Sequence, residues 1–313
     1  MSTRPQTPLF TQMIELISAK NPMQRKSIDR FLSRQGTAYF ETAEEMVSNL
    51  TSSFLVDQRN WSDAAEAYNR LCKHTVWEQV QFQKTGLYPR ANASEANAEV
   101  YSQPEVMQSY MVGLMLSYLL WPNHVRIMDL YRSELRRQRP KSYCEVGIGH
   151  GLFVVEQMRA WPGVPLTLVD ISETSINLAK RILQTFGLDP NQPKIINGDF
   201  NTVDLPEHSF DLLVMGEILE HVDDAPTFLR RGRQLLANDG RMFLTTCANC
   251  PATDHVYHFH NVDEIHEMIE EAGLTIGREL KLPAEEVPEE RWESSRVTVN
   301  YAAWVFPQER AAE

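Results

Sequence analysis

Apolar residues recur along this chain with two different periods, and the period changes near residue 138. Before that point they return at three- and four-residue spacing, which is typical of amphipathic helices. From Ser142 onward, short β-rich runs alternate with amphipathic helical stretches, the pattern of a parallel sheet covered by helices on both faces. We therefore predict an all-helical region over residues 1–138 and an α/β domain over residues 139–313.

The helical region contains several signals for where helices begin and end. The pair Asn21-Pro22 resembles an N-cap followed by proline in the first turn, and Ser62 precedes an amphipathic run whose apolar positions extend to Val76. A loop over residues 86–97 separates this run from a second apolar block. That block stops at Trp121-Pro122, because proline disfavours the helical conformation in the residue before it.

The second half contains strand candidates and helix candidates in alternation. Strands are predicted at 142–146, 166–169, 194–196, 210–215 and 241–245, and helices at 151–160, 173–186, 224–237 and 261–272. Two of these helices are followed by Gly187 and Gly273, and glycine suits the left-handed turn after a helix. Two further strand candidates, near 274–280 and 297–305, complete the chain.

The composition is that of a soluble, intracellular protein. Its 313 residues are 42% hydrophobic and 23% charged, which is ordinary for a globular chain, and no apolar run is long enough to cross a bilayer. The N-terminal segment lacks the uninterrupted apolar stretch of a secretory signal. The four cysteines are far fewer than a disulfide framework requires. We expect a cytoplasmic protein with no membrane partner.

The charge balance bears on the choice of partner. The formal net charge is −12, whereas proteins that bind long nucleic acids gain affinity mainly from Lys and Arg side chains that neutralise phosphates. We therefore expect no nucleic acid partner.

The first predicted strand runs into a glycine-rich turn, Glu145-Val146-Gly147-Ile148-Gly149-His150-Gly151, which opens a helix. Glycines at this point let the backbone turn tightly and approach a ligand without an intervening Cβ. The glycines are spaced G-x-G-x-G, and Glu145 stands two positions before the first of them. A carboxylate there would repel a pyrophosphate but suits a ligand that carries an ammonium and a sulfonium.

Two more carboxylates follow the next two strands. Asp170, followed by Ile171, can accept hydrogen bonds from both hydroxyls of a ribose. Asp199 can accept from an adenine amino group, and the Phe200 ring can pack beside the base. An acidic residue after the second strand is also found in nicotinamide-dependent dehydrogenases, so a dehydrogenase remains an alternative.

Four segments together, EVGIGHG, LVDIS, GDF and FDLLVMGEILEHV, resemble the class I S-adenosylmethionine-dependent methyltransferases over residues 142–273. The resemblance implies a doubly wound, mostly parallel seven-stranded sheet of order 3-2-1-4-5-7-6 with an antiparallel seventh strand. It also implies the cofactor contacts. The methionine part would be held by Glu145, Gly147, Gly149 and Gly151, the ribose by Asp170 and Ile171, and the adenine by Asp199 and Phe200, with Gly216 at the end of the fourth strand completing the set.

Methyl transfer from a sulfonium requires an aligned acceptor and, where the acceptor carries a proton, a base. Three histidines are candidates for that base because imidazole titrates near physiological pH. His221 follows the fourth strand and His255 follows the fifth. His124 is the third candidate, since the segment before the first strand commonly borders the acceptor pocket in this family. For each of them a purely structural histidine is the alternative.

The same loops contain residues that could bind a divalent metal such as Mg, Mn, Fe or Zn. The spacing of Glu217, Glu220 and His221 can place two carboxylates and an imidazole on one side of a helical turn, with His255 from the neighbouring loop. This arrangement resembles two metal-using branches, the small-RNA 2′-hydroxyl methyltransferases and the ubiquinone-pathway O-methyltransferases. In metal-independent relatives a similar Glu-His pair only caps and packs the next helix.

A zinc site is a separate possibility in the fifth-strand loop. Cys247-x-x-Cys250 precedes His255 and His258, but the histidines follow the cysteines very closely and the sequence offers no second conventional pair. The sequence therefore gives only weak support to zinc at this position.

The leading hypothesis is a small-molecule methyltransferase that acts on oxygen, carbon or nitrogen in secondary metabolism. An aromatic and methionine cluster in the helical region would wall the acceptor pocket and exclude water, and it comprises Met107, Tyr110, Met111, Tyr118 and Trp121. Helical core and a homodimer interface are the competing roles for these helices. The alternative functions are an RNA or protein methyltransferase and a non-catalytic protein that binds S-adenosylmethionine.

Overall fold

The first half of the chain is helical throughout the part that the structure describes. The computed structural model describes residues 6–55, 60–96 and 103–308. The helices are α1 (Pro8–Lys20), α2 (Pro22–Leu32), α3 (Thr37–Leu55), α4 (Trp61–Thr85), α5 (Ala93–Ala96), α6 (Pro104–Leu120) and α7 (Pro122–Leu135). Residues 1–5 of the N-terminal segment and Asn97, at the end of the predicted loop, lie outside the described residues.

Most helix boundaries fall where the sequence signals place them. Helix α2 begins at Pro22 after Asn21, and α7 begins at Pro122 directly after α6. The predicted cap of α4 is wrong, because Asn60 rather than Ser62 caps this helix. The Asn60 side chain accepts a hydrogen bond from the Asp63 backbone N–H, and the Asp63 carboxylate accepts one from Asn60, which satisfies two amide groups of the first turn.

The second half alternates strands and helices as predicted. Its elements are β1 (Tyr143–Val146), α8 (Leu152–Ala160), β2 (Leu166–Asp170), α9 (Glu173–Thr185), β3 (Lys194–Asn197), β4 (Phe210–Gly216), α10 (Ala225–Leu235), β5 (Leu236–Ala248), α11 (Val262–Glu271), β6 (Leu274–Pro283) and β7 (Val299–Pro307). The glycines after α9 and α11, Gly187 and Gly273, have the expected left-handed conformation, with φ of 71° and 74°.

The strands form one seven-stranded sheet in the order β3-β2-β1-β4-β5-β7-β6. Strand β7 is antiparallel to both β5 and β6, and the other pairings are parallel. This order confirms the predicted doubly wound fold. Val146 pairs with Val169 and with Met215, so the carboxyl ends of β1, β2 and β4 meet at one edge, where ligands bind in open α/β sheets.

The sheet separates two hydrophobic cores. Along β4, Leu212 and Val214 belong to the core on one face, whereas Leu213 and Met215 belong to the core on the other, because successive side chains of a strand point to opposite faces. Helices α8, α9 and the N-terminal helices share the first core. Helices α10 and α11 cover the second core. The helical region and the sheet are therefore packed as one body on the first face.

Two further features bear on the environment of the protein. Within the described ranges, no helix has the length and apolar character that a membrane crossing requires. Cys72, Cys144, Cys247 and Cys250 are all free thiols.

Candidate active site

A cavity of about 590 Å³ lies at the carboxyl edge of the sheet, beneath helices of the N-terminal region. Its lining includes the glycine turn after β1 and the residues that follow β2 and β3, which we treat together as one side. The loops after β4 and β5, with α4, α6 and the start of α7, also line it and are treated as the other side. A volume of this size is typical of pockets that enclose small ligands.

The glycine turn has a backbone that other residues rarely adopt. Gly147, Gly149 and Gly151 have φ of 73°, 49° and 73°, in the left-handed region that favours glycine. Gly147 and Gly149 line the cavity, and a Cβ on Gly147 would lie 2.8 Å from Cδ1 of Ile218. A Cβ on Gly151 would instead lie 3.2 Å from the Cβ of Ala179 in α9. Gly151 therefore allows close packing of α8 against α9.

Glu145 lies within β1 and is only 1% exposed. The Tyr143 hydroxyl donates a hydrogen bond of 2.5 Å to its Oε2, whereas Oε1 has no hydrogen-bond partner among the described residues. Burial raises the pKa of Glu145 to about 8. The cavity is lined by its neighbours from Val146 onward rather than by Glu145 itself. A buried acceptor atom without a partner is costly, so this carboxyl group favours a ligand that supplies a donor.

Asp170, the last residue of β2, lines the cavity as the sequence predicts. Its Oδ1 accepts a hydrogen bond from the Ser172 backbone N–H at 2.7 Å, and its Oδ2 accepts one from Gly149 at 3.3 Å. Burial raises the pKa of Asp170 to about 6, although these backbone donors oppose the shift. The adjacent Ile171 also lines the cavity and is exposed. Asp170 thus connects the glycine turn to the second strand.

The residues after β3 and β4 complete this side of the cavity. Asp199 is exposed and accepts a hydrogen bond from the Asn201 backbone at 2.9 Å, whereas the Phe200 ring is buried against Phe228 at 4.8 Å between centroids. Gly216 lies at the end of β4, where a Cβ would come within 2.5 Å of the Phe153 ring. All of these residues line the cavity.

His221 ends a short 3-10 turn over Leu219–His221 and lines the other side of the cavity. Its Nδ1 lies 3.0 Å from the Asp254 carbonyl oxygen and 3.5 Å from the Asp254 carboxylate. These two acceptors favour the tautomer with the proton on Nδ1, which places the basic lone pair on Nε2. The Tyr110 hydroxyl, from α6, lies 3.4 Å from the same carboxylate. Asp254 therefore joins His221 to the helical region.

The other two candidate bases have strongly shifted pKa values. Burial alone would lower the pKa of His255, but the hydrogen bond and negative charge of Cys250 raise it to about 10. Burial lowers the pKa of His124 to about 4, and its Nδ1 lies 2.7 Å from the Ser117 hydroxyl. At neutral pH, His255 keeps its proton and His124 resists gaining one, so neither matches the needs of a general base.

The structure divides the predicted metal ligands into two groups. The ligand atoms of Glu220, His221 and His255 all lie within 4.8 Å of one another. Glu217 lies with Glu220 and Cys247 instead, and it has a left-handed φ of 49°. Burial and the neighbouring Glu220 raise the pKa of Glu217 well above its usual range. Three of the four predicted ligands are thus together, with Glu217 outside that group.

Sequence reasoning missed several acidic residues of the cavity, among them Asp254 and Glu78. Asp254 carries the same signal that identified Asp170, a carboxylate in the loop after a strand. Glu78 is 6% exposed and accepts a hydrogen bond from the Thr253 hydroxyl at 3.3 Å, whereas Val76, in the same helix, is 65% exposed. The prediction that Val76 lies on the apolar face of α4 is therefore wrong, because this part of the helix turns a polar face toward the cavity.

Residues 144–244 match a family model described as a methyltransferase domain. The chain is 28% identical over 108 residues to the ubiquinone biosynthesis O-methyltransferase of Actinobacillus pleuropneumoniae, an alignment that covers 34% of this chain and 45% of that protein. It is 23% identical over 186 residues to the enzyme of the same name from Acinetobacter baylyi, which covers 51% of this chain and 74% of the relative. The first alignment thus spans less than half of that relative's length.

Among solved structures, the chain is similar to the mitomycin 7-O-methyltransferase MmcR. The TM-score is 0.52 at 15% identity, and the similarity covers 85% of this chain and 75% of that one. At this identity the likeness shows a shared fold.

Proposed function

We propose that this chain is a class I S-adenosylmethionine-dependent methyltransferase that methylates a hydroxyl group of a small, largely apolar molecule with His221 as the general base. The observation that carries the proposal is the position of His221 and Asp254. They line the same cavity as the cofactor motifs. The relatives named above as O-methyltransferases support oxygen as the acceptor atom.

The residues on one side of the cavity fit the cofactor. S-adenosylmethionine supplies an electrophilic methyl group on a sulfonium when it is bound. Gly147 and Gly149 present bare backbone to the cavity, and the unpartnered Oε1 of Glu145 can accept from an ammonium group. Asp170 can accept from ribose hydroxyls, and Asp199 can accept from the adenine amino group. This assignment follows the roles that the sequence resemblance implies.

His221 would remove the proton from the acceptor hydroxyl. Its Nε2 takes the proton as the oxygen gains the methyl group, so the imidazole becomes an imidazolium. The Asp254 carboxylate, 3.5 Å from Nδ1, stabilises that positive charge and holds the ring in place. His255 at a pKa of about 10 and His124 at about 4 are less suited to the same step.

The character of the cavity wall indicates the class of acceptor. Tyr118, Trp121 and Leu114 supply an apolar and aromatic surface, and Glu78 and Asn300 supply polar groups. Wall residues of this kind favour a compact aromatic or aliphatic molecule with one or two polar substituents. The net charge of −12 argues against RNA as the acceptor.

A metal-assisted form of this reaction is the second candidate. It is favoured by the grouping of Glu220, His221 and His255 within 4.8 Å, since two imidazoles and a carboxylate suit a divalent cation. In this form the cation would bind the acceptor hydroxyl and lower its pKa, so that removal of the proton would not depend on an imidazole base. Full methyl transfer by protein shown to be metal-free by elemental analysis would exclude it.

The release of S-adenosylhomocysteine tests the proposal directly. We expect release with members of a panel of hydroxylated small molecules and none with RNA or protein fractions. The same preparation, titrated with NAD, should show no binding, which would exclude the dehydrogenase alternative. Product with RNA or protein alone would overturn the small-molecule assignment, and tight cofactor binding without any product would favour a non-catalytic role. The cytoplasmic location and a homodimer stay predictions.

A further inference from the structure

Four metal-ligating side chains meet where β5 ends, and they differ from the set that the sequence resemblance implies. Cys247, Cys250 and His255 have ligand atoms that all lie within 4.8 Å of one another. Glu220, which is 0% exposed, approaches the Sγ of Cys247 with its Oε1 at 3.9 Å. We call these four residues the thiolate cluster.

The backbone around β5 fixes the thiolate cluster before any ligand binds. Asn249 has a left-handed φ of 49°, and its side chain donates a hydrogen bond to the His260 carbonyl at 2.7 Å. This turn brings Cys250 back beside Cys247. Further along the loop, the backbone N–H groups of Val256 and Tyr257 both donate to the Glu220 carbonyl, at 2.8 and 3.0 Å. Hydrogen bonds therefore hold both the turn that carries Cys250 and the part of the loop that packs on Glu220.

The spacing of the ligand atoms suits a tetrahedral zinc ion. Zinc binds thiolate sulfur at about 2.3 Å and imidazole nitrogen at about 2.0–2.1 Å, so neighbouring ligand atoms in a tetrahedron lie roughly 3.5–3.8 Å apart. The Sγ of Cys247 lies 3.8 Å from the Nδ1 of His255 and 3.9 Å from the Oε1 of Glu220. Both distances are within a few tenths of an ångström of the zinc geometry.

The chemistry of the thiolate cluster points to the same class of cation. It combines two cysteine sulfurs, an imidazole nitrogen and the fully buried carboxylate of Glu220. A bound cation would offset the cost of burying that carboxylate. Thiolates select zinc and other thiophilic cations over magnesium, calcium and manganese.

We propose that Cys247, Cys250 and His255, completed by Glu220, bind a thiophilic divalent cation of the zinc type. The Nδ1 of His255 now lies 2.7 Å from the Cys250 carbonyl, and metal binding replaces the proton of that hydrogen bond. Cys250 and His255 line the cavity, so the cation lies in its wall and fixes the loop that carries Asp254. His221 is not a ligand in this arrangement and remains available as the base.

The structure also explains why sequence patterns alone support zinc only weakly. His258, the second histidine of the Cys-x-x-Cys segment, lies with its Nε2 3.0 Å from the Asn249 side chain and stacks on Tyr88. The fourth ligand is Glu220, which comes from the loop after a different strand. No spacing rule along the chain connects Glu220 to the cysteines.

Titration of the reduced, metal-free protein with Co²⁺ alone tests the proposal without any acceptor. We expect one equivalent to bind, with a thiolate-to-cobalt charge-transfer band in the near ultraviolet and strong visible bands of tetrahedral cobalt. Cys250→Ser and Cys247→Ser should each weaken Co²⁺ binding by more than about 100-fold, since loss of an outer-shell partner alone costs about 10–100-fold. Glu220→Gln should have a smaller effect.

Cys72→Ser is the matched control, because Cys72 is a free, buried thiol in the helical region, and it should leave the cobalt spectrum unchanged. Circular dichroism and binding of the cofactor will show that each variant is folded, and Cys250, the less buried of the two cysteines, provides the variant that disturbs the core least. Absence of Co²⁺ binding would overturn the proposal. So would a weak spectrum of octahedral cobalt that survives Cys250→Ser and disappears in His221→Gln, since it would assign the cation to the oxygen and imidazole ligands.

Discussion

The two sides of the cavity are built in different ways. The cofactor side consists of short contiguous segments that follow neighbouring parallel strands, and its shape is set by the backbone at Gly147 and Gly149. The acceptor side is assembled from distant parts of the chain. Its central contact, from Tyr110 to Asp254, joins residues 144 positions apart. One side is therefore specified by local backbone conformation, and the other by tertiary packing.

The electrostatics of the two sides differ in the same way. On the cofactor side, burial raises the pKa of two carboxylic acids, Glu145 to about 8 and Asp170 to about 6. On the acceptor side, the pKa values of two histidines move apart, to about 4 for His124 and about 10 for His255. The first arrangement suits the cationic ligand that we propose. The second makes His124 and His255 poor candidates for the base, which is why we propose His221 for that role.

The strongest way to separate the two sides is His221→Ala. It removes the base, so we expect kcat to fall by about 10²–10⁴, while the Kd of the cofactor stays within about twofold of the original. Release of S-adenosylhomocysteine and calorimetric titration measure the two quantities. His266→Ala is the control, because His266 is paired with Glu279 at 2.8 Å in another part of the protein. An unchanged kcat in His221→Ala would rule out His221 as the base.

The reciprocal change on the cofactor side is Asp170→Ala. It removes two charge-assisted hydrogen bonds to the ribose, each worth about 1.5 kcal/mol or more, so we expect cofactor affinity to fall roughly 100-fold in calorimetry. Gly149 and Ser172 donate backbone hydrogen bonds to Asp170. Asp170→Asn keeps the shape of the side chain, so it separates loss of charge from loss of the turn that these bonds hold. Asp204→Ala, at an exposed position, is the control. Unchanged affinity would remove Asp170 from the cofactor site.

Asp254→Asn tests the link between the helices and the base. The variant keeps the backbone carbonyl 3.0 Å from His221 and loses only the carboxylate at 3.5 Å. We expect kcat to fall about tenfold, as for loss of one charge-assisted interaction, while the Kd of the cofactor in calorimetric titration stays unchanged. An unchanged kcat would contradict the positioning role of Asp254.

Gly147→Ala compared with Gly163→Ala tests the backbone argument. Both glycines have left-handed φ, 73° and 78°, so alanine should destabilise both variants by about 1–2 kcal/mol. A Cβ on Gly147 meets Ile218 at 2.8 Å, whereas nothing lies within 4 Å of one on Gly163. We expect cofactor affinity to fall about tenfold, or about 1.4 kcal/mol, in Gly147→Ala only. Equal loss in both variants would show that the turn acts only through stability.

The smallest predicted effect is proton release on cofactor binding. Since the pKa of Glu145 is about 8, most molecules carry a proton there at pH 7, and a cationic ligand favours its loss. Calorimetry in buffers of different ionisation enthalpy should detect release of up to about one proton at pH 7 and less at pH 9. Glu145→Gln should abolish this release. Without ligand, the raised pKa means that the contribution of Glu145 to stability is lost as pH rises through about 8. Glu145→Gln should therefore weaken the pH dependence of the free energy of unfolding in this range.

Most residues that the sequence predicts for the cofactor line the cavity, although Glu145 and Gly151 do not, and these positions are predictable because their signals are local. Glycine spacing, strand-end carboxylates and the glycines that end α9 and α11 each act within a few residues, and the sheet order follows from the family resemblance. The acceptor side is predicted only in part. Glu78 of α4 contacts Thr253, and Tyr110 of α6 contacts Asp254, and no local pattern in the sequence indicates contacts between residues so far apart. The prediction for Val76 is wrong because apolar periodicity does not describe a helix that turns polar residues such as Glu78 toward a cavity.

The core shared by the N-terminal helices and one face of the sheet limits how the enzyme can acquire a new acceptor. Tyr131 of α7 stacks in parallel on Trp304 of β7, and Arg132 pairs with Glu156 of α8 at 2.7 Å. A cassette of helices transplanted from another family member would bring side chains that do not match this sheet face. We therefore expect acceptor specificity to change by single substitutions on α4 and α6. Glu78 and Tyr118 border the cavity there, and the packing of the helices on the sheet does not depend on them alone.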